Sequence, residues 1–262
     1  MSKKLGFALG SGGCRGVAHV GFLKAMEEAG IKADYVSGTS MGAVVGACYC
    51  AGYSPDFMLA EILKLSASDV IDLSINPIKN GALLRTQKMK KKIASFFEKT
   101  PTFNHLTIPF QCVAVDLFTG DLKVFDGDAK VDDAVIASSS IPTIFKPLEK
   151  DNMLLVDGGV KCRVPIEQVR DMGAEVVVAV DVLGDLKSAT KKLNLFAVSF
   201  RVFDIMDDYI TAHIVKEQKP DLYLMPEMGD ITPYQLKGMD KAYQAGYKIG
   251  VENAEKIKSL IE

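Results

Sequence analysis

The chain has 262 residues, 48% of them hydrophobic, which is enough for one large domain with a sizeable core; no linker divides residues 1–262 into two. Its 31 Lys and Arg are balanced by 33 Asp and Glu, so the basic footprint of a nucleic-acid binder is missing and small or neutral substrates stay open. Five cysteines, odd in number and without a C-x-x-C pair, exclude a disulfide framework and a zinc site and point to a reducing cytoplasm.

The apolar run Leu5 to Leu9 is shorter than a signal-peptide core, and Leu9 lies too far from Cys14 for a lipoprotein cleavage box. The longest weakly apolar run, Met41 to Tyr53, falls well below the ~18 residues of a membrane span. Any contact with lipid is therefore expected to be peripheral.

In chain order, "KKLGFALG" reads as a buried strand and "GVAHVGFLKAMEEAG" as a helix with Val17, Val20, Leu23 and Ala25 on its apolar stripe and Gly30 as its stop. "ADYVSG" is a second strand, with a helix from about Met41. Strand, Gly-rich turn, helix, strand, tight turn, helix is the opening of an open α/β sheet. "SPDFMLAEILKL" is a helix capped by Ser54 with Pro55 at its first position. "TQKMKKKIASFFEK" is another, with Met89, Ile93, Phe96 and Phe97 on one face and lysines on the other. "FQCVAVDLFTGDLKVFDG" reads as a hairpin and "DDAVIASSSIP" as a short helix closed before Pro142. "NMLLVDGGV" is a strand ending in a tight turn, and "PIEQVRDMGAEVVVAVDVL" a helix followed by a buried strand. A helix over "LFAVSFRVFDIMDDYITAHIVKEQ", a strand at "DLYLM" and a terminal helix from Gln235 complete the layering.

Two glycine-rich turns carry the chemistry. In "GSGGCRG", counted from Gly10, Arg15 stands where a dinucleotide fingerprint needs Gly or Ala; Asp34 begins the second strand instead of ending it, and no Gly-Lys-Ser/Thr follows. What remains is a cluster of backbone N–H groups at a helix N-terminus, reinforced by Arg15: an anion site. "GTSMG" is the G-x-S-x-G nucleophile elbow, in which Gly38 and Gly42 leave room for a strained turn that lifts Ser40 above the sheet edge. Adjacent strands would bring both turns to one edge, where a carbonyl attacked by Ser40 passes its charge to the N–H groups of Gly12 and Gly13.

The proton acceptor is less obvious. His19 lies one turn past the glycine loop, His105 in the polar loop "TPTFNHLTIP" and His213 in the middle of a long helix. Ser40 comes too early for the Ser, acid, His order of an α/β-hydrolase, and a helix-interior histidine is more often a packing or surface residue. Asp157 closes the strand "MLLV" before two glycines, at a sheet end where ligands approach; the same "DGG" also serves simply as a tight turn. As a base near neutrality Asp157 would need burial to lift it from the ordinary ~3.9 of an aspartate.

Taken together, "GSGGCRG", "GTSMG" and "DGG", with the blocks "VAVDLFTGDLKVF", "AVIASSSIPTIFKPL" and "LLVDGGVKCRVPI", resemble the patatin-like phospholipase family, more closely its bacterial members related to the neuropathy target esterase catalytic domain. The likeness covers roughly the first two thirds of the chain and is vague beyond about Val182. It implies one domain with a three-layer, open, mainly parallel sheet flanked by helices, and a Ser-Asp dyad without histidine. Ser40 then matches the nucleophile, Asp157 the base, Gly12 and Gly13 the oxyanion donors, and Arg15 the basic residue that holds the glycine loop and its charge. Ser11 departs from the third glycine of many members.

The resemblance implies lipid acyl esters as substrates, namely phospholipids, lysophospholipids or simple carboxylic esters, with no metal or organic cofactor. The rival reading is a non-catalytic phosphate- or lipid-binding regulatory protein on a retained hydrolase fold, although every catalytic position carries a competent residue type. Residues Lys88 to Phe97 suit either a membrane-facing helix or, more simply, a helix with its apolar face in the core. Phe196, Phe200, Phe203, Met206 and Ile210 suit either the lining of an acyl pocket or, more simply, a seal on the sheet, and Asp204, Asp207 and Asp208 are expected to form a solvated face rather than a metal site.

Overall fold

The computed structural model describes residues 2–70, 72–74, 81–184, 195–232 and 238–262. In chain order the elements are β1 (Leu5–Leu9), α1 (Val17–Glu28), β2 (Tyr35–Thr39), α2 (Met41–Cys50), α3 (Pro55–Leu63), β3 (Ala82–Leu84), α4 (Gln87–Phe96), β4 (Phe110–Asp116), β5 (Leu122–Phe125) and α5 (Val131–Ser138). There follow β6 (Thr143–Phe145), β7 (Leu148–Lys150), β8 (Met153–Asp157), α6 (Ile166–Asp171), β9 (Val176–Val180), α7 (Leu195–Gln218), β10 (Leu222–Leu224) and α8 (Met239–Ile261). The start of the last helix at Gln235, and the side chains of Phe196 and Phe200, lie outside the described residues.

An eight-stranded sheet runs in the order β10-β9-β1-β2-β4-β8-β7, with β5 also paired to β4. The five strands from β10 to β4 are parallel, and β8, β7 and β5 join antiparallel. The composition of the central strands fits their place. β1 and the valine run of β9 are buried throughout, as central parallel strands covered on both faces must be. One layer of helices includes α1 packed on α8, where Gly21 and Gly246 let the backbones touch: a Cβ at either would collide with a carbonyl of the other helix.

α4 keeps its apolar face inward. Ile93 and the adjoining Phe97 are buried, and Met89 and Phe96 pack against the core. Two of its lysines bond to the protein itself, Lys90 to Asp133 at 2.6 Å and Lys92 to Glu61 at 2.9 Å. Ser54 caps α3 as expected, accepting from the Phe57 N–H at 3.2 Å.

The registers set the site. Thr39 stands opposite Val113 of β4, so Ser40 follows level with Ala114, which is the partner of Asp157 on β8. β8 is antiparallel, so Asp157 reaches this level by running inward from beyond the sheet's edge, a direction that the strand pattern alone does not disclose.

Candidate active site

Ser40 is the single residue between β2 and α2, with φ 56 and ψ −121. That positive φ strains a side-chain-bearing residue and is maintained by its surroundings. A Cβ at Gly38 would lie 2.5 Å from the Gly42 carbonyl, and one at Gly42 would strike the Leu9 carbonyl, so both flanking glycines are sterically required. The Ser40 N–H donates to Ser138 Oγ at 2.9 Å, tying the elbow to the end of α5.

The Ser40 hydroxyl donates to Asp157 Oδ2 at 2.5 Å, and Asp157 Oδ1 accepts from the Gly159 N–H at 2.8 Å. Its backbone N–H donates to the Ser140 carbonyl at 3.0 Å. Two polar residues of β2 hold the segment after Asp157 in place: Ser37 Oγ donates to the Pro165 carbonyl and Thr39 Oγ1 to that of Cys162. Asp157 is only 4% exposed. Burial, with a smaller push from Asp207, raises its carboxyl to about 7; the hydrogen bonds from Ser40 and Gly159 and the charge of Arg163 oppose that rise.

The glycine turn adjoins this pair. Its Gly10, Ser11 and Arg15 N–H groups bond to the carbonyls of Val180, Arg163 and Gly12. Gly12 and Gly13 line a cleft of about 150 Å³ that also contains Asp157, and among the described residues nothing accepts from their N–H groups. Gly13 takes φ 52, a conformation suited to glycine. Arg15 donates through Nε to the Ile231 carbonyl at 2.7 Å and also to the Leu183 carbonyl, so its side chain fastens the turn to two later segments.

None of the histidines bonds to Ser40. His19 is buried, with Nε2 2.8 Å from the Gly10 carbonyl; burial lowers it to about 4, so it is neutral and holds the turn. His105 bonds to Thr102 and the ring of His213 lies against Tyr209.

Two expectations are corrected. Phe203, Met206 and Ile210 do not seal the sheet: they line the cleft, with Phe203 and Met206 exposed. Asp204 and Asp207 are not on a solvated face either; both line the cleft half-buried, while Asp208 is exposed. The reason is a cation that periodicity does not reveal. Arg163, 5% exposed, donates to Asp207 at 3.0 Å, to Asp181 at 3.1 Å and to the Ser11 carbonyl at 2.8 Å. It ties α7 to the glycine turn through Asp207. Burial lifts Asp207 to about 6 against the pull of Arg163. The available signal was a charge inside an apolar run, Arg163 in "CRVPI" and Asp181 in "VVVAVDV". Among the described residues there is no cluster of three or more His, Cys, Asp or Glu able to hold a metal.

A mainly parallel α/β sheet whose early elbow serine is bonded to a buried aspartate, beside a glycine turn at the same edge, defines a narrow structural class. The family model for patatin-like phospholipases matches residues 7–170, and the chain belongs to that family. An uncharacterized NTE family protein of Mycobacterium bovis is 34% identical over 184 residues, covering 70% of this chain and 50% of its own length. Patatin-like phospholipase domain-containing protein 6 of Mus musculus is 28% identical over 94% of this chain, which spans 20% of that protein. The chain thus spans half or less of these relatives. The crystal structure of VipD from Legionella pneumophila shares the fold, with a TM-score of 0.59 at 13% identity over 97% of this chain and 67% of that one.

Proposed function

We propose that the protein is a serine acyl-ester hydrolase acting on lipids, of phospholipase A, lysophospholipase or carboxylesterase type. Ser40 is the nucleophile, Asp157 the base, and the Gly12 and Gly13 N–H groups the oxyanion donors. The observation that carries this reading is the 2.5 Å hydrogen bond from the Ser40 hydroxyl to a carboxylate that burial has raised to about 7.

As Ser40 Oγ attacks the ester carbonyl, its proton passes to Asp157 Oδ2 and the carbonyl electron pair moves onto the oxygen facing Gly12 and Gly13. Collapse expels the alcohol, which takes the proton from Asp157. Water then gives a proton to Asp157 and attacks the acyl-serine; the second collapse returns the proton to Ser40 Oγ and frees the acid. A carboxylate near 7 suits both directions of transfer. The apolar lining from α7 suits an acyl chain.

The test is labelling by a serine-directed phosphonate probe, alongside hydrolysis of a panel of acyl esters and phospholipids. Labelling and turnover should both vanish in Ser40→Ala. Persistent labelling would move the nucleophile elsewhere; lipid binding without labelling or turnover in the parent protein would favour a binding module.

A further inference from the structure

The outer side of α7 is apolar where a solvated helix would be polar. Val198, Val202, Ile205 and Tyr209 are all exposed, Tyr209 by 67%, and their i, i+4, i+7, i+11 spacing puts them on one stripe. At ~1.5 Å per residue the stripe is about 16 Å long. It passes through exposed Met206 to Phe203 and Ile210, which line the cleft, so one apolar arc runs from solvent into the site.

A second element reaches the same mouth. Val160 lines the cleft and is itself exposed. Its neighbour Lys161 donates to the Gly120 carbonyl at 3.0 Å, holding the β4–β5 turn beside it. That turn presents Leu117 and Phe118, the latter 71% exposed. The turn tied to Lys161, next to cleft-lining Val160, thus adds large apolar side chains near the opening that α7 lines, where scattered single exposures would need no explanation.

We propose that this collar is the surface by which the protein docks on a lipid bilayer, mouth down. The inference rests on the lipid-ester reading of the site. A second copy seated on the arc would cover the opening through which a lipid ester must pass, whereas a bilayer covers the same side chains and supplies the substrate. The docking is apolar rather than electrostatic. The stripe is uncharged and its flanks carry both signs, Arg201 against Asp204 and Asp208, so a neutral bilayer suffices and salt has little effect.

The experiment is flotation of the full chain with vesicles of phosphatidylcholine alone, at low and high salt, against the variant Phe118→Ser/Ile205→Ser/Tyr209→Ser, whose three positions lie outside the cleft lining. Binding should fall by roughly tenfold or more, since each substitution removes a large apolar side chain from the contact. Hydrolysis of a soluble, monomeric short-chain ester should be unchanged, which also shows that the variant is folded. Equal flotation of parent and variant overturns the proposal. So does binding that requires anionic lipid and low salt, or sedimentation showing that the substitutions convert a dimer to a monomer. If the parent floats but does not cleave the soluble ester, the functional reading fails and the docking surface stands.

Discussion

Asp157→Asn separates the activity of the carboxylate from its cost. The folded chain holds this carboxyl at about 7 against an ordinary 3.8. At ~1.4 kcal/mol per tenfold, keeping it ionised at pH 8 costs on the order of 4 kcal/mol of stability. Between about pH 4 and 7 the folded state keeps a proton that the unfolded state has released, so stability is full below that window, falls across it, and is lowest above about 7. Asparagine has the same shape; its carbonyl can still accept from the Gly159 N–H, and its amide can bond to Ser40 Oγ. The variant should therefore match the parent in urea midpoint near pH ~4 and exceed it near pH ~8. Its turnover should fall on the order of 10²- to 10⁴-fold, because the amide cannot take the serine proton. In the parent, turnover should rise with pH about an apparent midpoint near 7. Near-normal turnover in the variant would refute Asp157 as the base. A stability difference that does not change with pH would refute the argument that burial raises this carboxyl.

Two further substitutions test the supports of the site. Ser138→Ala removes the acceptor of the buried Ser40 N–H; kcat should drop while KM stays, at a stability cost of about 1–3 kcal/mol, and Ser138→Thr, which restores the hydroxyl, should recover most of the rate. Arg163→Met leaves Asp181 and Asp207 without their shared cation and should lower unfolding stability by roughly 3–5 kcal/mol. Its denaturation midpoint is the direct check, and a midpoint like the parent's would mean that the buried pairs contribute little.

Much of the site was legible because each part is a local motif with a local physical demand. Gly38 and Gly42 flank Ser40 at positions that admit no Cβ, and Gly13 adopts a positive φ; a strand before and a helix after each turn can be read from hydrophobic period alone. Ser40 and its elbow, the glycine turn, the α4 face and the Asp157 turn all belong to this kind. The direction of β8 does not, since a five-residue strand looks the same parallel or antiparallel.

The sequence by itself therefore determined the α/β layering, the order of the two glycine turns and the residue types that meet at them. The tertiary structure alone decided that Asp157 lies 2.5 Å from Ser40 and 4% exposed, because neither register nor burial is a property of any short segment. It also decided the fate of α7. That helix's apolar residues read as core and its aspartates as solvated, but Arg163, buried behind the glycine turn, ties Asp207 to that turn, and the apolar side lines the cleft and meets the solvent beyond it. Periodicity identifies which residues share a helix face; only the partner that a buried charge finds across the fold settles which way that face points.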